Sequence, residues 1–225
     1  ALKHMNPCGV GCANNLYDAW VKAYESDKTS IFGGIVAFNR ELNLTIAKEL
    51  SDIFLEIIIA PSFTQDALDH LSKKKNIRLL KLVEKEVKPY KETFKRISGG
   101  LLVQDVDSIA SKVENWKIVT THTVNSSQTQ DALFGEKVVK HVKSNAIVIV
   151  KDGQTLGIGA GQMNRIGSAE IALNQAGDKA KGAVLASDAF FPMDDTVKLA
   201  AKYGITCIIQ PGGSIKDQDS IDACN

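Results

Sequence analysis

Short apolar runs, mostly β-branched, alternate with amphipathic stretches along this chain, and that alternation predicts an α/β fold. "GGIVAF" (33–38), "EIIIAP" (56–61), "IRLLKLV" (77–83), "AIVIV" (146–150), "AVLAS" (183–187) and "ITCIIQ" (205–210) read as buried strands. Helical spacing lies between them. Leu16, Trp20 and Tyr24 stand four apart in "NLYDAWVKAYES". Thr64 is placed to cap "TQDALDHLSKKK", whose last turn would hold Lys73 to Lys75. Gly204 follows "DDTVKLAAKY" as a helix-ending C′ residue. Asp152-Gly153, between two apolar runs, signals a hairpin.

Two stretches echo one another. "EIIIAPSFTQDALDHLSKKKNIRLL" and "AVLASDAFFPMDDTVKLAAKYGITCII" each run strand, small-residue elbow with a Phe, helix, strand. The paired strands begin about 20 residues apart in both. Two related βαβ lobes explain the echo, and so does the general sameness of βαβ units. The least patterned part is 84–131, with charged "VEKEVKPYKETFKR" and polar "VTTHTVNSSQTQ". It reads as a surface crossing that carries one strand in "SGGLLVQD". The expected division is a first lobe at 1–83, a crossing at 84–131 and a second lobe at 132–225.

The 225 residues suffice for one large domain, and a core that size folds without metal or disulfide staples. A formal net charge of +1 provides no basic field for nucleic acid, so an anionic ligand must be held by locally placed cations. No apolar run approaches a membrane span of roughly 18 residues, and no signal peptide is visible. Cys8, Cys12, Cys207 and Cys224 read as scattered thiols in a reducing, cytoplasmic compartment. The ends read as those of a trimmed piece, beginning without Met and stopping inside an apparent helix.

Several motifs admit two readings. His4, Cys8 and Cys12 are spaced four apart, but zinc deaminases use P-C-x-x-C with an upstream H-x-E, and a zinc site needs three or four ligands. Buried thiols are the plainer reading. "GIGAGQ" lacks phosphate-loop spacing and fits tight backbone packing. "QPGGSI" fits a ligand loop with N–H groups aimed outward, or a plain strand-to-helix turn. Lys140 and His141 read as the cationic flank of a helix end, and Asn145 could cap it. Lys3 and His4 differ. Pro7 forbids a continuing helix and restricts Asn6 to extended backbone, so the pair sits at a strand end or elbow. Phe190 lies beyond an apolar strand, where it can stack on a flat ring or pack in the core.

In order, "LKHMNPCGVG", "SIFGGIVAFN", "EIIIAPSF", "VVKHVKSNAI", "GIGAGQMNRIGSA", "GDKA", "LASDAFFP" and "IIQPGGSI" resemble the transformylase domain of the AICAR transformylase/IMP cyclohydrolase family, over nearly the whole chain. The resemblance implies an α/β fold of two cytidine-deaminase-like lobes without zinc. It implies formyl transfer from 10-formyltetrahydrofolate to the 5-amino group of AICAR (5-aminoimidazole-4-carboxamide ribonucleotide). That reaction needs a base for an electron-poor amine, an acid for the departing folate N10, and a partner for the developing oxyanion. Each contributes about 10²–10⁴ in rate.

By the same resemblance His4 is the base, Lys3 the cation near the formyl oxygen and N10, and Asn145 a hydrogen-bonding partner of the reacting groups. AICAR would contact His4, Gly33, Glu56, Asn145, Arg165 and Phe190, with Glu56 accepting from ribose hydroxyls. The folate would contact Ile166, Asp195, Ser214 and Ile215, and no metal is expected. The resemblance also implies a homodimer with its site at the subunit interface. The family's cyclohydrolase domain is absent from this sequence, so ring closure to IMP is not expected of it. An arginine-tyrosine pair ahead of Lys3 and a later arginine, both nucleotide contacts in the family, are absent too. Met193 stands where the family often has a third Phe. A zinc-dependent deaminase-like hydrolase and a non-catalytic assembly domain are the rival readings.

Overall fold

The computed structural model describes residues 1–82 and 90–225. Its first sheet has the order β2-β1-β3-β4-β5. β1 (Leu2–Lys3) and β2 (Asn6–Pro7) form a minimal hairpin, followed by α1 (Leu16–Ser26), β3 (Gly34–Ala37), α2 (Leu44–Ser51), β4 (Leu55–Ala60), α3 (Gln65–Leu71) and β5 (Arg78–Lys81). β3, β4 and β5 are parallel, while β1 runs antiparallel to β3. The α1 spacing does what it predicts. Trp20 is 2% exposed, stacks on Tyr24, and donates its Nε1–H to Glu49 at 2.7 Å.

The helices pack on one face of this sheet, where Val36, Ile58, Leu50 and Leu71 form the core. Ile35, Ile57 and Ile59 on the alternate face are only half-buried. The expectation of uniformly buried strands therefore fails here, and β5 is an exposed edge. Val83, the end of the expected strand 77–83, lies outside the described residues, as do 84–89 of the crossing.

β6 (Glu92–Ile97) and β7 (Gly100–Asp105) make a separate antiparallel hairpin. β7 matches "SGGLLVQD"; β6 was hidden by its charges, because every one of its side chains faces solvent. α4 (Ser126–Val139) starts inside the polar "VTTHTVNSSQTQ". Asn125 and Gln128 form a reciprocal capping box there, so polarity marked a helix start rather than a loop. α3 ends at Leu71, which puts Lys73 to Lys75 beyond its last turn. Thr64 holds the N-cap position, but its hydroxyl donates to Asp66 instead of capping.

The second sheet has the order β11-β10-β8-β9. β8 (Ile147–Lys151) and β9 (Gln154–Gly159) are joined by Asp152-Gly153, both at positive φ as a type I′ turn requires. The Asp152 and Gly153 N–H groups both donate to the buried Asp131 carboxylate, at 2.9 and 2.8 Å. α5 (Arg165–Ala176), β10 (Val184–Ser187), α6 (Asp195–Lys202), β11 (Cys207–Ile209) and α7 (Asp217–Cys224) follow. Gly204 ends α6 at φ 74°. Both faces are covered: Ile147, Ile149 and Leu185 pack with α5 and α6, and Val148, Val150 and Ala186 with α4. "GIGAGQ" is packing, not a phosphate loop. A Cβ on Gly157 or Gly159 would lie 1.9 Å from the Ala172 or Ser168 carbonyl oxygen of α5.

The sequence echo corresponds to two parallel crossovers, β4-α3-β5 and β10-α6-β11. The sheets are joined by the segment after β2. Thr155 donates its N–H to the Val10 carbonyl at 3.0 Å, and Cys12 donates to Gly153 at 2.8 Å.

Candidate active site

The β1–β2 hairpin turns through His4 and Met5, with Lys3 paired to Asn6 across it. His4 sits at φ 53°, a left-handed conformation that a non-glycine residue adopts only where its surroundings hold it. The elbow reading of Lys3 and His4 is thus met: His4 is exposed, and Lys3 is half-buried with Nζ donating to the Phe32 carbonyl. Gly33, next in the chain, has φ 68°. A Cβ there would lie 3.3 Å from Lys3 Nζ and 3.5 Å from the Phe54 ring.

The same hairpin touches the loop between α4 and β8. Asn6 accepts a hydrogen bond through Oδ1 from the Lys143 N–H at 2.9 Å. Two residues on, the Asn145 carboxamide is held at both ends. Its Nδ2 donates to the Gln162 carbonyl at 2.9 Å, and its Oδ1 accepts from Arg165 Nη2 at 2.8 Å. Asn145 lies well past the α4 C-cap at Lys140, so it does not cap that helix. Lys140 and His141 do flank the helix end, and Lys140 pairs with Asp107 at 3.1 Å.

Arg165 opens α5 because Asn164, the N-cap, accepts from the Gly167 N–H. From that first turn its guanidinium reaches the adjoining ends of β8 and β10. Its side chain is 6% exposed, and Nη1 donates to Ser187 Oγ at 2.9 Å and to Asp188 Oδ1 at 2.5 Å. Asp188 also accepts from the Ala146 N–H at 2.9 Å. Burial pushes the Asp188 carboxyl up, but hydrogen bonds from Ser144, Arg165 and the Ala146 amide, with the Arg165 charge, hold it below the usual carboxylate value.

Glu56 is the extra residue of a β-bulge, since Gly34 pairs with Leu55 and Ile35 with Ile57. Bulges re-aim side chains near functional sites. Its Oε2 accepts from Arg78 Nη1 at 2.7 Å, in a pair exposed enough to contribute about 0–1 kcal/mol. Phe190 is 44% exposed while Phe191 is buried, so Phe190 is available for stacking. Ile166 is half-buried beside Arg165.

The remaining positions lie around α6 and α7. Asp195 opens α6, exposed, and accepts from the Thr196 N–H. Ser214 Oγ accepts from the Lys216 N–H, and Ile215 is fully exposed. Two N–H groups of "PGGSI" are already engaged: Gly212 donates to Gln210 and Gly213 to Asp217, each at 2.7 Å. Among the described residues, no hydrogen bond joins Asp195, Ser214 or Ile215 to the Asn145 network. Among the described residues, no three His, Cys, Asp or Glu side chains gather as metal ligands. Cys8 is buried, and burial raises its pKa. No helix among them is long and apolar enough to cross a membrane.

The model of the AICARFT/IMPCHase bienzyme family matches residues 1–175. The chain belongs to this family. It is 60% identical over 226 residues to the bifunctional purine biosynthesis protein PurH of Listeria monocytogenes serotype 4b, 59% over 226 to that of Anoxybacillus flavithermus, and 58% over 225 to that of Lysinibacillus sphaericus. Each match covers 100% of this chain and 44% of the relative, so the chain spans less than half the length of the curated relatives it matches.

Sequence reasoning on this bienzyme-family chain passed over four groups that hold the network together: Gln162, Ser168, Ser187 and Asp188. Ser168 Oγ donates to the Asn145 carbonyl at 2.5 Å. One signal was available. Asp188 is an acid directly after the apolar strand "AVLAS", at the carboxyl end where α/β sheets place ligand chemistry. The serines carry no such mark.

Proposed function

We propose that this chain carries the formyl-transfer chemistry of its family: movement of a one-carbon unit from 10-formyltetrahydrofolate to the 5-amino group of AICAR, in purine (IMP) biosynthesis. The observation that supports it most is the Asn6–Lys143 hydrogen bond, because it ties the elbow of Lys3 and His4 to the loop of Asn145. The reaction needs these three capacities at one place. His4 takes the proton that the weakly nucleophilic amine must lose. Lys3, a cation beside the Phe32 carbonyl and Gly33, faces the formyl oxygen and the N10 that must be protonated to leave. Asn145 hydrogen-bonds the reacting groups. A fixed donor aimed at a developing oxyanion contributes about 10²–10³ in rate.

In this reading Gly33, Glu56, Arg165 and Phe190 border AICAR, Phe190 by stacking and Glu56 through the ribose hydroxyls. Ile166, Asp195, Ser214 and Ile215 border the folate. The two sheets correspond to two cytidine-deaminase-like lobes, 1–83 and 132–225, joined across 84–131. The site is completed in a cytoplasmic homodimer, and no catalytic metal is invoked.

The test is tetrahydrofolate release from 10-formyltetrahydrofolate with AICAR, in a protein of the relatives' length that carries this sequence. His4→Ala should abolish turnover with the far-UV spectrum unchanged. Turnover equal to the unaltered protein would remove His4 from the chemistry.

A further inference from the structure

The Asn145 carboxamide is fixed in one of its two flip states. Its oxygen meets Arg165 Nη2, and a guanidinium offers only donors. Its nitrogen meets the Gln162 carbonyl, an acceptor only. Turning the amide over would set NH₂ against guanidinium and oxygen against carbonyl oxygen, losing both bonds. One Nδ2–H therefore remains for a ligand, and Asn145 meets it as a donor. The guanidinium that enforces this is itself held by one carboxylate. Arg165 Nη1 lies 2.5 Å from Asp188 Oδ1, and that same oxygen is anchored by the Ala146 N–H at 2.9 Å. Ser187 Oγ, which accepts from Arg165 Nη1, donates its O–H to the Ala189 carbonyl at 2.7 Å. Every link in this chain is at least partly buried.

We infer that Asp188 is a positioning residue: through Arg165 it locks the Asn145 carboxamide oxygen inward, so that Asn145 presents a single N–H to a carbonyl oxygen of the substrate. The inference rests on the formyl-transfer reading for the identity of that substrate, but not for the lock itself. Asp188→Asn is nearly isosteric and removes the charge that fixes the guanidinium. Asn145→Asp is nearly isosteric and removes the N–H.

The test uses both variants, with Asp188→Glu and Arg165→Lys, in a protein of the relatives' length. Steady-state kinetics with AICAR and 10-formyltetrahydrofolate are read beside NMR of the asparagine side-chain amides. For Asp188→Asn the expected result is a fall in kcat of about 10- to 100-fold with KM for AICAR changed much less. The Asn145 Nδ2 protons, one of them protected from exchange in the unaltered protein, should both exchange freely. Asp188→Glu should restore part of kcat, and Asn145→Asp should lose at least as much rate as Asp188→Asn. If Asp188→Asn does not fold, Arg165→Lys, which keeps the charge and loses the fork, is read the same way. A lowered melting temperature with kcat per folded molecule and the Asn145 resonances unchanged would overturn the inference. If the unaltered protein transfers no formyl group, the functional reading falls, and the amide exchange alone decides the lock.

Discussion

Asn6 and Lys143 stand 137 residues apart and meet through one hydrogen bond, carboxamide oxygen to backbone N–H, at 2.9 Å. That contact attaches an N-terminal elbow to the loop that precedes the central strand β8. Asn6→Ala leaves the Lys143 N–H to water at an exposed rim, so the stability cost is at most about 1 kcal/mol. The effect on chemistry should be larger. We expect turnover to fall at least about tenfold, because misplacing reacting groups by an ångström costs up to about 10² in rate. Parallel urea denaturation and steady-state assays check it.

Gly33 is the second point where geometry near Lys3 depends on one residue. Its φ of 68° strains any other residue, and a Cβ there would crowd Lys3 Nζ at 3.3 Å while only touching the Phe54 ring. Gly33→Ala should cost about 1–3 kcal/mol in folding free energy. It should also weaken AICAR binding, seen as a raised Kd by calorimetry. An unchanged denaturation midpoint with unchanged Kd would mean that the loop relaxes freely.

Asp188 sets an acid limit on stability. Its folded-state pKa is depressed, while in the unfolded chain it is ordinary, about 3.9. The stabilisation is therefore fully present above the unfolded value and is lost as pH falls through the lower folded one. The stability difference between the unaltered protein and Asp188→Asn should be constant from pH 5 to 7 and shrink below about pH 4. Urea midpoints across that range measure it, and a difference that widened on acidification would have the wrong sign.

The thiols should react in order of their surroundings. Burial, with the nearby Cys224, pushes Cys207 up to about 11, and burial also raises Cys8 and Cys224. Cys12 is exposed. At pH 8 only about a thousandth of Cys207 is thiolate. Iodoacetamide labelling followed by peptide mass spectrometry should find Cys12 modified first and Cys207 among the last.

The regular parts of this fold were written locally. The strands of the second sheet, the Asp152-Gly153 turn, the α1 face and the Gly204 stop each follow from a handful of adjacent residues. What escaped depends on partners far along the chain or on solvent. The outer face of the first sheet is half-open although "EIIIA" is as apolar as any core strand, because burial depends on which face the helices cover. β6 was masked by exposed charges. At the site, Lys3, His4 and Asn145 were visible as candidates through the family resemblance. The Asp188–Arg165–Asn145 chain was not, because it joins three elements through side-chain geometry that no spacing rule encodes.

The central claim is that the His4 elbow and the Asn145 loop form one chemical unit. A double-mutant cycle on kcat for formyl transfer, with His4→Ala, Asn145→Ala and the double variant, tests it most directly. The account predicts strong non-additivity, with the double variant little slower than the slower single variant. Losses that multiply, each residue subtracting its full effect regardless of the other, would contradict it.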